Sequence, residues 1–280
     1  MRTQKSMITV IGAAVLLTAC DVKDPIYETA HPDKARVTLT ADWMDMDPNL
    51  TKPAKYTAVV NGAEHADIPT APESHTFPDM DSGNCIAYLF NEAEGISISG
   101  TTATATYASI PIGWLFTGKL AETVAADKDY VFTVPMKQQV RQLTLVITPE
   151  GGSTDRIETI TANLSGVAGT LDIDKDTHGS PSDAPLTFTK GNDGKWSATV
   201  RLLGVTGAEQ KLTATILFTD GNPADQTLDS DLTTMLTNFN ADKKTPLTLS
   251  STVVGTPGGL ELTGTISDWI LGGEESGNAE

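Results

Sequence analysis

The chain has 280 residues, long enough for two domains of ordinary size, and carries 36 acidic against 19 basic residues for a net charge of −17. A negative surplus of this size repels phosphate backbones and anionic lipid surfaces, which excludes nucleic acid as a partner. Of the two cysteines, Cys20 lies in a leader-like stretch and Cys85 is the only other thiol, so an intramolecular disulfide and a multi-cysteine metal site are excluded as well.

Arg2 and Lys5 form a short cationic start, 7–17 is an apolar run, and Leu17-Thr18-Ala19-Cys20 resembles the lipobox of bacterial lipoprotein signals. This predicts a signal peptide over 1–19, cleavage between Ala19 and Cys20, and lipid such as palmitate on the Cys20 thiol. The apolar run is shorter than the roughly 20 residues a spanning helix needs. Acyl chains on one terminal residue would tether the protein to a membrane and leave everything downstream in water.

Downstream, Thr, Gly, Pro, Asp and Asn are plentiful and the apolar runs are short, which predicts an all-β protein. Period-two alternation marks strands at 36–43, in part of 143–147, at 196–202 and at 212–218, each with one apolar and one polar face. The run 85–90 reads as a buried strand, which makes Cys85 an inert core residue. Asn61-Gly62, Ser82-Gly83, Gly151-Gly152, Asn192-Asp193-Gly194 and Asp220-Gly221 are turn signals between such strands. Pro135 ends a strand over 130–134 and a new one starts at Val140, placing a boundary between an N-terminal domain over 20–136 and a C-terminal domain over 137–270 with a very short linker. One short helix is expected over 229–240, where Leu232, Met235, Leu236 and Phe239 recur at helical spacing behind Asp229 or Asp231 as a cap. The Gly-rich acidic tail 271–280 reads as disordered.

Catalytic patterns are missing. His31, His65, His75 and His178 lie in polar, loop-like surroundings without a paired metal spacing, so surface solvation is expected for all four. Asp172, Asp174 and Asp176 have the spacing of a calcium loop, but Thr177 stands where the loop needs Gly and Asp183 where it needs Glu, so a turn is expected. No Gly-x-Ser-x-Gly elbow is present. Neither a cofactor nor a metal is expected, and the chain does not read as an enzyme. Trp43, Trp114, Trp196 and Trp269 invite a glycan-binding reading, although three of them fall in strand patterns that suit packing.

Val140-Arg141-Gln142-Leu143-Thr144-Leu145, the stretch 162–168, Arg201-Leu202-Leu203-Gly204, the stretch 231–240 and Pro246-Leu247 together resemble the C-terminal domain of the FimB/Mfa-type fimbrial anchor lipoproteins of Bacteroidetes. The stretch 88–96 is similar to part of their N-terminal domain, and the acids and Lys23 just after Cys20 resemble the export signal of Bacteroidetes surface lipoproteins. The resemblance implies two tandem transthyretin-like β-sandwich domains of a type V pilus subunit, lipid-anchored at the outer membrane and surface-exposed, with other fimbrial subunits as partners. It also implies strand exchange, in which a neighbour's extended C-terminal segment fills the groove left when a first strand is removed. Here the donor segment is expected over 260–270, with Leu260, Leu262, Ile266 and Ile270 on one face and Trp269 opposite. Arg36 precedes the candidate first strand over 37–43 and the next Arg is Arg141, so the loop behind that strand offers a trypsin-like protease only Lys52 and Lys55. This favours a base anchor that keeps its own first strand. The alternatives are a shaft or tip fimbrillin and a surface glycan-binding lipoprotein.

Overall fold

The computed structural model describes residues 26–108, 111–152, 154–254 and 269–271. The signal and lipidation residues Ala19 and Cys20 lie outside the described residues, as do Leu260, Leu262 and Ile266. The protein is all-β, its helical content limited among the described residues to single 3-10 turns at Thr154–Arg156 and Thr219–Gly221 and a coiled stretch over 232–241.

The strands before Met136 are β1 (Ala35–Asp42), β2 (Lys55–Val60), β3 (Ala63–Pro69), β4 (Ser74–Met80), β5 (Gly83–Phe90), β6 (Ile96–Ser99), β7 (Thr102–Ala105), β8 (Phe116–Val124) and β9 (Lys128–Pro135). After it come β10 (Lys137–Gln138), β11 (Arg141–Glu150), β12 (Ile157–Asp172), β13 (Thr177–Lys190), β14 (Trp196–Leu202), β15 (Lys211–Phe218), β16 (Gln226–Asp231), β17 (Leu247–Val254) and β18 (Ile270–Leu271). The alternation read at 36–43, 143–147, 196–202 and 212–218 therefore falls on β1, β11, β14 and β15. Asn61-Gly62 turns β2 into β3 with both residues at positive φ, the conformation that lets a two-residue turn follow the strand twist.

Two sheets, ordered β4-β1-β9 and β10-β8-β5-β2-β3, enclose one apolar core that includes Val37, Leu39, Tyr56, Leu89, Phe116 and Met136. Strands β11–β18 form a second assembly, ordered β16-β15-β12-β13-β14-β11-β17-β18. This sheet folds over where only Thr189 and Lys190 of β13 pair with β14, so that β11 and β14 share a core with β12 and β15. The two assemblies repeat one arrangement. In each, the first strand lies between an antiparallel partner, β4 or β14, and a parallel partner that is the last long strand, β9 or β17.

A boundary at 136/137 does not separate the hydrogen-bonding networks. The hairpin β6–β7 precedes that boundary in sequence, yet β7 pairs with the far end of β12 at Thr170, Leu171 and Asp172. A third apolar cluster, with Ala103, Ile112, Leu115, Val140, Leu171 and Leu203, fills the junction. The β12–β13 turn is tied to the first assembly in turn, because Asp174 accepts from Tyr88 Oη at 2.6 Å and pairs with Lys119 Nζ at 2.7 Å.

The helical stripe expected over 229–240 starts later and stays shorter. Asp229 belongs to β16, where its carboxylate accepts from Thr213 Oγ1 at 2.7 Å and pairs with Lys211 Nζ at 2.8 Å, so strand pairing continues to Asp231. Asp231 then takes the capping role, its Oδ1 accepting from Thr233 N–H at 2.9 Å. The chain coils through successive turns with one helix-spaced bond, Leu236 N–H to Leu232 O at 2.9 Å, and buries Leu232, Leu236 and Phe239.

Candidate functional site at the first and last strands

Strand β1 is seated on both sides. Eight residue pairs join it to β9, from Ala35 opposite Lys128 to Asp42 opposite Pro135, and β4 pairs along its other edge. Alternation puts Ala35, Val37, Leu39 and Ala41 inward, all at 0% exposure. Fully burying Val37 and Leu39 contributes about 1.5–3 kcal/mol each. On the outer face Thr38 Oγ1 and Thr76 Oγ1 lie 2.9 Å apart, and Thr40 Oγ1 and Ser74 Oγ 2.8 Å apart, linking β1 to β4.

The segment leading into β1 is clasped to the β8–β9 turn. Asp127 accepts from the backbone N–H of Glu28 at 2.6 Å and of Thr29 at 2.7 Å, and from Thr29 Oγ1 at 2.9 Å, while its own N–H donates to Lys34 O. The bonds from Glu28 foremost, then from Thr29, hold the Asp127 carboxyl below the usual carboxylate range, although burial opposes them. His31 completes the clasp by bridging Lys34 O and Asp129 Oδ1, and is partly buried rather than solvated.

The loop that leaves β1 is also held. Trp43 is buried, Asp47 N–H donates to Gln138 Oε1 at 3.1 Å, and Asp45 pairs with Lys244 at 2.7 Å. Of the two lysines behind the first strand, Lys52 is ion-paired to Glu73 at 3.0 Å, while Lys55 opens β2 and is ion-paired to Asp67.

The far end of the chain is attached differently. Strand β18 pairs antiparallel with β17 through two residue pairs, Ile270 with Ser250 and Leu271 with Leu249. Ile270 is 63% exposed, whereas Trp269 is buried and its indole N–H donates to Ser230 Oγ at 2.8 Å. The face expected to carry the apolar side chains is thus turned to solvent at Ile270, and the residue on the opposite face enters the core. The indole fits there because β16 offers its ring N–H an acceptor.

Between these ends lies a polar junction that the sequence reading missed. Lys243 Nζ donates to Leu203 O at 2.6 Å and Gln139 O at 3.2 Å and lies 3.1 Å from His178 Nε2. Burial pushes the Lys243 ammonium down to about 7, with Asp176 opposing and Arg141 adding to the shift. Burial, then the Lys243 charge, pushes His178 down to about 4, so its expected solvation is corrected. Gln138 Nε2 donates to Lys243 O and Val140 O, and Arg141 donates to Thr245 O and Phe239 O. Arg141 and the 231–240 stretch stood among the family-like residues, but nothing in their spacing shows that one closes on the other.

Elsewhere the candidate groups are spoken for. Asp172 is held by Lys175, Asp174 by Tyr88 and Lys119, and Asp176 by Lys137, and no group of three or more His, Cys, Asp or Glu side chains converges among the described residues. His65 and His75 pack edge-on against Phe77. Cys85 is fully buried on β5, and burial, with Glu122 adding, raises its thiol. Trp43, Trp196 and Trp269 are core residues, and the Arg201 guanidinium sits 5.2 Å from the ring centre of half-buried Trp114. No helix among the described residues is long and apolar enough to cross a membrane.

Among the described residues the architecture is all-β, with a first strand seated along both edges, a last strand held by two residue pairs and no convergent group of metal-ligating side chains. The chain belongs to the family of fimbrillin-A associated anchor proteins Mfa1 and Mfa2, whose model matches residues 20–271. It is a fimbrial subunit and not an enzyme. Among solved structures it is similar to a candidate adhesin of Bacteroides ovatus, with 14% identity, 80% of this chain and 90% of that chain covered and a TM-score of 0.60. It is likewise similar to the fimbrial anchor protein Mfa2 of Porphyromonas gingivalis, with 11% identity, 85% and 95% covered and a TM-score of 0.54. A third, a candidate polysaccharide-binding protein of Bacteroides thetaiotaomicron, shares 7% identity over 79% of this chain and 92% of that chain, with a TM-score of 0.54. Identities this low speak to the fold alone. A comparison with curated proteins finds no match.

Proposed function

We propose that this fimbrial subunit is the base anchor, tethered to the outer membrane by lipid on Cys20, keeping its own first strand and offering its C-terminal segment to the next subunit. The observation that carries the reading is the seat of β1, whose inward side chains are fully buried between β4 and β9. A subunit at the end of a fibre needs a strand to give and no groove to fill. The ion-paired Lys52 and Lys55, and the tied loop behind β1, support retention of that strand. The lipobox-like stretch ending at Cys20 supports the tether. A donor segment over 260–270, carrying Leu260, Leu262, Ile266 and Ile270, is supported by the exposure of Ile270, the one of these residues that is described, on a two-pair strand β18.

Mass analysis of the mature protein from its native envelope tests the reading. An acylated N-terminal Cys20 followed by intact β1 is the expected result. A mature terminus beyond Trp43 would instead identify a shaft or tip subunit and end the anchor proposal.

A further inference from the structure

We propose that the protein carries tension between its termini through two parallel-strand shear clamps in series, β1 against β9 and β11 against β17. The inference rests on the anchor reading for the direction of load, in at the N-terminal tether and out through the C-terminal segment, and its mechanical core stands on topology.

In a parallel pair, the start of one strand and the end of its partner lie at opposite ends of the ladder. Tension arriving at Ala35 and leaving past Pro135 therefore slides β1 along β9 and loads all eight residue pairs together. The second pair repeats this, since tension enters at the start of β11 and leaves at Val254, with eight pairs from Leu143 opposite Leu247 to Glu150 opposite Val254. An antiparallel pair joined by a short turn and pulled at its free ends would peel one bond at a time.

Side-chain alternation resists the slide. A shift of one residue would turn Ala35, Val37, Leu39 and Ala41 outward on β1, and Leu143, Leu145 and Ile147 on β11, all of them at 0% exposure. The first clamp is closed at both ends, by the Asp127 clasp at its start and by Met136 N–H donating to Asp42 O at 2.7 Å at its finish. Only residues 136–140 separate β9 from β11, and Gln138 and Gln139 tie that link to Asp47 and Lys243. Everything over 43–127 and 151–246 is an excursion between the two strands of a clamp and stays off the load path until that clamp fails. Strand β18 behaves oppositely, because the two pairs that join it to β17 among the described residues are antiparallel and peel one at a time.

Single-molecule pulling on the mature chain, in a Cys20→Ser, Cys85→Ala background that leaves the handles as its only thiols, tests the clamps. Handles on Ile26→Cys and Leu271→Cys load both clamps in shear, whereas handles on Asp33→Cys and Ala126→Cys pull β1 and β9 from the same end. The end-to-end pull should show one small early step and then rupture forces roughly threefold or more above the same-end pull, as forced rupture follows the barrier along the pulled coordinate rather than overall stability. Equal forces in the two geometries would overturn the clamps. The force contrast in a chain whose native form carries no lipid on Cys20 would uphold the clamps and end the anchor reading. Equal forces, with a native form that is lipidated on Cys20 and retains fibres, would do the reverse.

Discussion

Strand β1 and strand β18 stand at the two ends of the folded chain and are held in opposite ways. The first has partners along both edges, four side chains at 0% exposure and a clasp at its entry. Among the described residues the second has two residue pairs, with Ile270 and Leu271 both more than half exposed and the adjoining Trp269 buried. The difference shows how one fold fixes a strand by burying alternate side chains and leaves another exposed at Ile270 and Leu271. Burial of alternate side chains on both flanks fixes a strand's register, while a short edge strand adds backbone bonds without a buried face.

The widest test of the contrast is to cut into β1. Leu39→Ala removes a fully buried side chain from the core between the two N-terminal sheets, and should lower stability by about 2–5 kcal/mol. Urea unfolding should show a falling midpoint with an unchanged slope. A loss below about 1 kcal/mol would mean that β1 is not a fixed part of the core.

The junction that passes β9 into β11 offers a test by pH. Lys243 sits at about 7 in the folded protein against its ordinary 10.5, so across that interval the unfolded chain binds the proton more strongly and stability rises with pH. His178, at about 4 against 6.5, gives a second rise between those values. Acidification should therefore loosen the junction in two stages. Lys243→Met should remove the upper rise and His178→Gln the lower, as read from thermal midpoints across pH with Arg141 and Asp176 left intact. A pH profile unchanged by Lys243→Met would show that the Leu203 and Gln139 carbonyls compensate for the burial of the ammonium.

Much of the fold was legible because strand alternation is a local signal. The alternating residues of β1, β11, β14 and β15 announce their inward faces directly, and Asn61-Gly62 announces its hairpin. The crossing of β6–β7 onto β12 was not legible, since Thr102 and Ala103 meet Asp172 and Leu171 across a long separation that no local period encodes. The 229–240 stripe misled for a related reason. Its apolar spacing suits a helix, but Asp229 is held in β16 by Thr213 and Lys211 from a neighbouring strand. At the C-terminus, alternation correctly separated Ile270 from Trp269 but could not say which face would be buried. That depended on Ser230, distant in sequence, standing ready for the indole N–H.

Trp269→Phe probes that anchor more gently than any truncation. The ring stays apolar and large while the bond to Ser230 is lost, so the expected change is about 1 kcal/mol. Hydrogen exchange should locate the effect at β17 and β18 and leave β1 protection untouched. Loss of protection in β1 as well would mean that the two ends are coupled.

The smallest effect on folding is expected from Ile270→Ser, and it separates the two roles the last strand can have. In the isolated chain Ile270 is largely solvated, so the substitution should shift stability by no more than about 0.5 kcal/mol. In a fibre, the proposed donor face would place the same side chain in a neighbour's groove, where burying an Ile contributes about 1.5–3 kcal/mol. Unchanged urea unfolding together with fibres shed into the medium would assign Ile270 to the exchange surface. Unchanged unfolding with fibres fully retained would remove Ile270 from the exchange surface and restrict β18 to closing its own sheet, where Trp269 is already buried.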